Sequence, residues 1–255
     1  SRGAPMAMKY MGGPIMRKVA VALSCLVALG ACSKHDPILP GTRSAVFSSN
    51  RVNVLNSEIT NLSAPIATVV TDCPYRQDSD NIIWDGDRKI FSGFSTPNSV
   101  QSNQKPVCAG KFVYAGLTTG ELIKVNPKTR AIAWIADVYR PSNLTGGASV
   151  VDITAPIVVS TDAVYVGGLG DAFCKINAST GAKKWCADVG VGLPFIVTDS
   201  ASFVVSTDGN LYAFRNSDGA AYWTAPVKKQ SAPKYADGVI QVGREKFDAQ
   251  TGKAL

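Results

Sequence analysis

"PIVVSTDAVYVGGLGDAFCKINASTGAKKW", Pro156–Trp185, starts on proline, passes through short runs of β-branched and aromatic residues, and closes on tryptophan. The runs Ile157–Val159, Ala163–Val166, Ala172–Asn177 and Lys183–Val189 predict four strands, because each is short and bounded by turn formers. Turns fall at Ser160–Asp162, Gly167–Gly170 and Ser179–Gly181, residue types that accept positive φ or cap a turn. A sheet this small leaves both faces uncovered, so one copy cannot fold alone and several must stack.

Copies lie on both sides. "PVCAGKFVYAGLTTGELIKVNPKTRAIAW" (Pro106–Trp134) and "PFIVTDSASFVVSTDGNLYAFRNSDGAAYW" (Pro194–Trp223) also begin on Pro, carry the same strand pairs and end on Trp. A fourth, "PKYADGVIQVGREKFDAQTGKAL" (Pro233–Leu255), is shorter in its middle and halts one residue before its Trp would fall. Four-stranded units whose closing tryptophans recur 51 and 38 residues apart define an all-β chain with radially packed blades, a β-propeller. We expect it over 80–255, with blades near 106–134, 156–185, 194–223 and 233–255, the last incomplete. Composition agrees: 45% of the 255 residues are apolar, 23 are glycine, and no long 3.6-residue period appears outside the N-terminus.

That N-terminus reads as a targeting signal. From Met16, "MRKVAVALSCLVALGAC" has Arg17-Lys18, an apolar run from Val19 to Leu29, and small residues leading to Cys32. The run is too short to span a bilayer, so 16–31 is expected to be a secretory signal peptide and 1–15 to be non-native upstream residues. "LGAC" (Leu29–Cys32) resembles a bacterial lipobox, which implies cleavage before Cys32 and acylation of its sulfur. The alternative is an ordinary signal with an incidental cysteine. By resemblance to Gram-negative lipoproteins, Ser33 in the next position implies sorting to the outer membrane, with the mature chain facing the periplasm and 32–79 a linker. Acyl chains contribute about 0.8 kcal/mol per buried CH₂, enough to anchor without a spanning helix. Removing the four cations upstream of Cys32 (Arg2, Lys9, Arg17, Lys18) takes the formal charge from +7 to +3. That balance favours neither nucleic acid nor a polybasic membrane patch. Lys228, Lys229 and Lys234 read as a solvated loop in preference to a phosphate site.

Setting aside Cys25 in the signal and Cys32 for lipid leaves Cys73, Cys108, Cys174 and Cys186. An even number in an oxidising compartment favours disulfides. Cys174 and Cys186 sit symmetrically about Thr180, so on a regular hairpin they face each other at near-disulfide spacing; two buried free thiols are the alternative. Cys73–Cys108 follows by elimination.

"INASTGAKKW", "VNPKTRAIAW" and "FRNSDGAAYW" resemble the repeat of quinoprotein-type (PQQ-like) propellers, which runs from a strand pair through a "D-x-x-T/D-G" turn to a closing Trp. The resemblance implies that Trp134, Trp185 and Trp223 dock blade on blade. Trp84 lies 22 residues before Pro106, as Trp134 does before Pro156, so "DNIIW" resembles an outer strand placed before the first complete blade. Trp84 would then supply the Trp missing after Leu255 and close the ring, as N-terminal strands of propellers often do. Relatives usually have seven or eight blades, so the sequence is expected to be a piece of a longer chain, with a reduced ring as the alternative.

Two functions follow from that resemblance. A dehydrogenase using pyrroloquinoline quinone would need a complete ring, a Ca²⁺ site, an Asp base and, in many members, adjacent cysteines. This chain has no Cys-Cys pair, and Asp162, Asp171, Asp208, Asp218 and Asp248 fall in turns that explain them. Its only histidine, His35, sits beside the lipid cysteine, which excludes His-dependent triads and His-ligated zinc in the folded domain. We therefore expect no enzyme activity, no metal and no cofactor. The lipobox, the segment "HDPILPGTR" (His35–Arg43) and the blade Gly146–Phe173 resemble the BamB family of outer-membrane lipoproteins. That resemblance implies a non-catalytic scaffold for β-barrel assembly, docked through inter-blade loops on the POTRA domains of a BamA-like subunit. "VYRPSNL" (Val138–Leu144) is the candidate loop, with Tyr139, Arg140 and Leu144 as contacts. A lipoprotein binding peptidoglycan or an exported polymer is the remaining alternative.

Overall fold

The computed structural model describes residues 52–66, 72–97, 99–100, 105–139 and 150–255, and every regular element among them is a strand. Five antiparallel sheets follow one another in chain order. The first holds β1 (Arg76–Gln77), β2 (Ile82–Asp85) and β3 (Arg88–Ser92). Blade 1 is β4 (Val107–Ala109), β5 (Phe112–Gly116), β6 (Glu121–Asn126) and β7 (Ala131–Asp137). Blade 2 is β8 (Val158–Val159), β9 (Ala163–Gly168), β10 (Ala172–Asn177) and β11 (Lys183–Ala187). Blade 3 is β12 (Ile196–Val197), β13 (Ala201–Val205), β14 (Asn210–Arg215) and β15 (Ala221–Pro226). Blade 4 is β16 (Pro233–Ala236), β17 (Val239–Val242) and β18 (Glu245–Asp248).

Burial explains the sequence patterns. β9 and β13 are buried on both faces and read as continuous apolar runs, whereas the outer strands β7 and β11 alternate toward their ends. A core cluster fills each successive junction: Ile83 and Ile90 with Val113 and Ile123, then Leu122 and Trp134 with Val164 and Ile176. Between blades 2 and 3, Phe173 meets Trp185, Phe195 and Phe214 at centroid distances of 5.7, 5.0 and 5.6 Å. Burying each such side chain contributes about 1.5–3 kcal/mol.

The turn before the outer edge has one chemistry in blades 1, 2 and 4, whereas in blade 3 Arg215 holds the capping position and pairs with Asp218. In blade 2, Asn177 Oδ1 accepts the N–H groups of Ser179 and Thr180 at 2.9 and 3.0 Å, and Gly181 N–H returns to Asn177 O at 2.9 Å. Asp248 does the same for Gln250, Thr251 and Gly252. The closing glycines Gly181, Gly219 and Gly252 have φ of +75°, +78° and +70°, a region a Cβ disfavours. The preceding blade's tryptophan stacks on each of them. A Cβ on Gly181 would sit 2.7 Å from Trp134, one on Gly219 2.6 Å from Trp185, and one on Gly252 2.5 Å from Trp223. Glycine is therefore required twice over, for the turn and for the indole of its neighbour.

Lysine completes two of these junctions. Lys124 Nζ and Trp134 Nε1 both donate to Ala178 O, at 2.6 and 3.1 Å; Lys175 Nζ and Trp185 Nε1 both donate to Asn216 O, at 3.1 and 2.9 Å. Burial, and then the nearby Lys111 and Lys184 respectively, hold these lysines below the usual range. At the third junction Ala213 pairs with the tryptophan, and Trp223 Nε1 is buried with no partner among the described residues.

Three details depart from the sequence reading. Trp84 is on the middle strand of the first sheet and supplies no outer strand to blade 4. Asp78 accepts the N–H groups of Asp80 and Ile82 and the Trp84 indole, and Gly86 at φ +57° turns the chain straight into β3. Arg76 and Lys89 flank the ring at 4.8 and 5.5 Å. The outer edge of blade 4 begins instead with the chain's own last residues, since Ala254 bridges Phe247 and Leu255 N–H reaches Lys246 O at 2.9 Å. Finally, part of the expected linker is packed. Val54 forms a parallel bridge to Ala221, Ile59 is 1% exposed between blades 3 and 4, and Ile66 N–H donates to Val197 O. Its apolar residues lack a strand period, which is why composition alone read it as a spacer.

Candidate docking site at the blade connections

The connection from blade 1 to blade 2 leaves β7 at Val138 and Tyr139 and returns at Val150–Ala155. Both ends are pinned. Val138 N–H donates to Gly120 O at 2.7 Å, and Ile153 N–H to Leu117 O at 3.2 Å. Val138, Ile153 and Ala155 are fully buried. Tyr139, half-buried, lies across two turns whose glycines make room for it: its Cδ1 would be 2.8 Å from a Cβ on Gly120, and its Cβ 2.7 Å from one on Gly170. Burial, with Asp137 and Glu121 nearby, raises its phenol above the usual range. Tyr139 is thus a fixed, uncharged anchor at the root of the connection. Arg140 and Leu144, together with Cys32 and the signal segment, lie outside the described residues.

Asp152 in the returning arm is fully buried. Its Oδ2 accepts the Val100 N–H at 2.7 Å, its Oδ1 has no partner among the described residues, and burial raises its carboxyl above 3.8. Beside it, a polar cluster ties the first sheet to blade 1. Asn81 donates to Thr118 Oγ1 and Phe94 O and accepts the Thr118 N–H, and Thr96 donates to Thr118 Oγ1.

A cleft of about 760 Å³ opens between blades 2 and 3, lined by Val54 and Asn56 of the N-terminal segment and by Asp171, Asp188, Asp208 and Tyr212. Tyr212 O–H donates to Asp208 Oδ2 at 2.7 Å, and burial with that carboxylate pushes the phenol up to about 12. Asp208 also caps its own turn by accepting the Asn210 N–H at 3.0 Å. Among the described residues no three acidic, histidine or cysteine side chains converge as a cation site.

Of the residues singled out from sequence, Trp134, Trp185 and Trp223 lie at blade junctions, Tyr139 at the connection, and Trp84 apart from both. Both disulfides are formed: Cys174–Cys186 across β10 and β11, with Cα atoms 4.1 Å apart, and Cys73–Cys108, with 5.1 Å, joining the approach to the first sheet to blade 1. Sequence reasoning missed Lys124, Lys175 and Asp152. The lysines carried a usable signal, since Lys124 and Lys175 hold the same place in their repeats. Asp152 carried none, because its partner Val100 is 52 residues away.

Closing tryptophans stacked on the glycines of the next blade, and successive antiparallel sheets of three or four strands, define a β-propeller of PQQ-like repeats. Residues 73–253 match the family described as outer membrane protein assembly factor BamB, and the chain belongs to that family. It is 26% identical over 152 residues to the BamB of Yersinia pestis, a match covering 56% of this chain and 38% of that protein. The chain thus spans under half the length of this relative. Among solved structures it resembles BamB from Moraxella catarrhalis (TM-score 0.49, 16% identity, 75% of this chain and 66% of that one). It also resembles the quinohemoprotein alcohol dehydrogenase ADHIIG of Pseudomonas putida HK5 (TM-score 0.52, 16% identity, 80% and 42%). At 16% identity neither likeness shows more than the fold.

Proposed function

We propose that this chain is a non-catalytic scaffold of outer-membrane β-barrel assembly, held at the outer membrane by an acylated Cys32 and facing the periplasm. Its partner is the central, BamA-like barrel subunit. The match to the assembly-factor family over 73–253 carries the reading. The architecture supports it: blades locked by the tryptophan–glycine contacts form a stiff frame, and the blade 1 to blade 2 connection departs from a pinned root at Tyr139. Function placed on connections of a rigid frame suits docking. The aspartates Asp208, Asp218 and Asp248 are used by their own turns, as Ala220 N–H to Asp218 and Thr251 N–H to Asp248 illustrate.

The test uses purified periplasmic domains of the barrel subunit and the full chain. Tyr139→Ala with Arg140→Glu should weaken binding at least about tenfold, the size of effect expected of an aromatic and arginine anchor pair. Unchanged binding would remove the loop from the interface. Uptake of pyrroloquinoline quinone with Ca²⁺ and reduction of a dye by an alcohol would overturn the scaffold reading.

A further inference from the structure

The end of blade 1 opposite its connection to blade 2 is formed by two turns, β4–β5 at Gly110-Lys111 and β6–β7 at Pro127–Arg130. A cavity of about 290 Å³ opens beside them, walled by Pro74, Tyr75, Phe112 and Pro127 and flanked by Lys111 and Lys128. Its walls are held in place. The Cys73–Cys108 bridge ties the stretch that carries Pro74 and Tyr75 to β4, and the ammonium groups of Lys124 and Lys111 stand 4.2 and 5.5 Å from the centre of the Phe112 ring. Asp72 is the one carboxylate among the described residues that line the cavity.

Charge and bulk set this end apart from the same end of the other blades. The β4–β5 turn presents exposed Lys111, where the matching turns present exposed Asp162 in blade 2, Asp199 in blade 3 and Asp237 in blade 4. Phe112, the first paired residue after its turn, stands where the others have Ala163, Ala201 and Val239. In the second turn Lys128 takes the place of Ser179, Ser217 and Gln250, and Arg130 that of Gly181, Gly219 and Gly252. Arg130 has φ +60°, a region where side chains other than Asn and Asp are uncommon. In blades 2 to 4 the glycine makes room for the preceding tryptophan; in blade 1 an exposed arginine occupies the position. Lys111, Lys128 and Arg130 make no ion pair among the described residues.

We propose that this end of blade 1 docks an acidic segment of a partner protein, with one aromatic side chain entering the cavity and carboxylates on either side of it. Charge complementarity names the occupant: cations without an ion-pair partner surround an apolar hollow, so an acidic segment gains there and a basic one meets like charge. The shape selects a protein over a lipid surface. Tyr75 and Phe112 are half-buried walls of a concavity, which receives a protruding side chain, whereas a membrane takes apolar groups that themselves protrude. An arginine kept at positive φ on an exposed turn is the kind of backbone outlier from which function is inferred. The inference goes beyond the docking reading, which concerns the opposite end of the blade, and neither depends on the other.

The probe is a dye-labelled peptide, Gly-Glu-Asp-Phe-Asp-Glu-Gly, titrated against the full chain by fluorescence anisotropy at low and at physiological ionic strength. Saturable binding that weakens with salt is expected. Lys111→Glu with Lys128→Glu should lower the affinity by about tenfold or more, since the cations that face the peptide's carboxylates are reversed. Both positions are exposed, so an unchanged melting temperature shows that the variant folds. Exchanging the peptide's phenylalanine for alanine should also cost about tenfold. Lys228→Glu with Lys229→Glu, the same change of charge in the connection from blade 3 to blade 4, should leave the affinity unchanged. Equal binding by the Lys111 and Lys128 variant or of the alanine peptide, or an equal loss with the Lys228 and Lys229 variant, would overturn the proposal. So would an absence of binding by the phenylalanine peptide, or lysine-dependent binding of phosphatidylglycerol vesicles alone, which would assign these cations to a lipid surface.

Discussion

Gly219 has two duties, a φ of +78° and contact with the Trp185 ring. Gly219→Ala should cost about 2–4 kcal/mol, strain and overpacking together, and Trp185→Ala about 3–5 kcal/mol through the cavity it leaves. Urea denaturation of the double variant should show less than the sum, since removing the indole frees the space the new methyl needs. These residues were legible in sequence because turn and tryptophan recur in register. Asp152 was not legible, and it gives a pH prediction. Its carboxyl is raised above 3.8 by burial, so the folded chain holds that proton more tightly than the unfolded one. The group therefore costs stability at neutral pH, a cost that fades as pH falls through the folded value toward 3.8. Asp218 and Asp248 act oppositely: hydrogen bonds from Arg215 and Thr251 hold them below 3.8, so their support is lost as pH falls below that value. Asp152→Asn keeps an acceptor for Val100 and should raise stability at pH 7 by about 1 kcal/mol. Urea midpoints measured from mildly acidic to neutral pH should flatten in step.

The elements were read unevenly, and the reason is locality. The hairpin holding Cys174 and Cys186 is set by its own twelve-residue separation, so the pairing followed from the turn. The first sheet was not found, because Asp78 and Gly86 redirect "DNIIW" into a hairpin of its own, which the Trp spacing concealed. Cys73–Cys108 closes a span of 35 residues near that sheet. Replacing both cysteines with alanine should cost about 4 kcal/mol, against about 3 kcal/mol for the Cys174–Cys186 pair. Hydrogen exchange at Ile82–Ser92 should rise first in the former variant; uniform acceleration across all blades would show that the bridge serves the whole array. The N-terminal segment makes a parallel prediction. Ile59 is buried between blades 3 and 4, where Ala213 stands in the place of the lysines opposite the tryptophan, so Ile59→Ala should cost about 2–4 kcal/mol, with exchange rising in β16–β18.

At the scale of the molecule, the repeat gave the architecture while the way its sheets end was out of reach. Stacking needs only a periodic face, which a sequence displays; the partner of an edge depends on contacts across long separations, as Val54 with Ala221 shows. The same distinction applies to function, where the frame and the family are plain and the docking partner is a proposal. The full chain, extracted under mild detergent from the envelope of cells that make it, puts that proposal to the most direct test. Mass spectrometry of what accompanies it should find the BamA-like barrel subunit, and Cys32→Ala should abolish the membrane association while leaving the blades folded. A preparation without any barrel-assembly subunit, yet able to take up quinone and Ca²⁺ and oxidise an alcohol, would contradict the account.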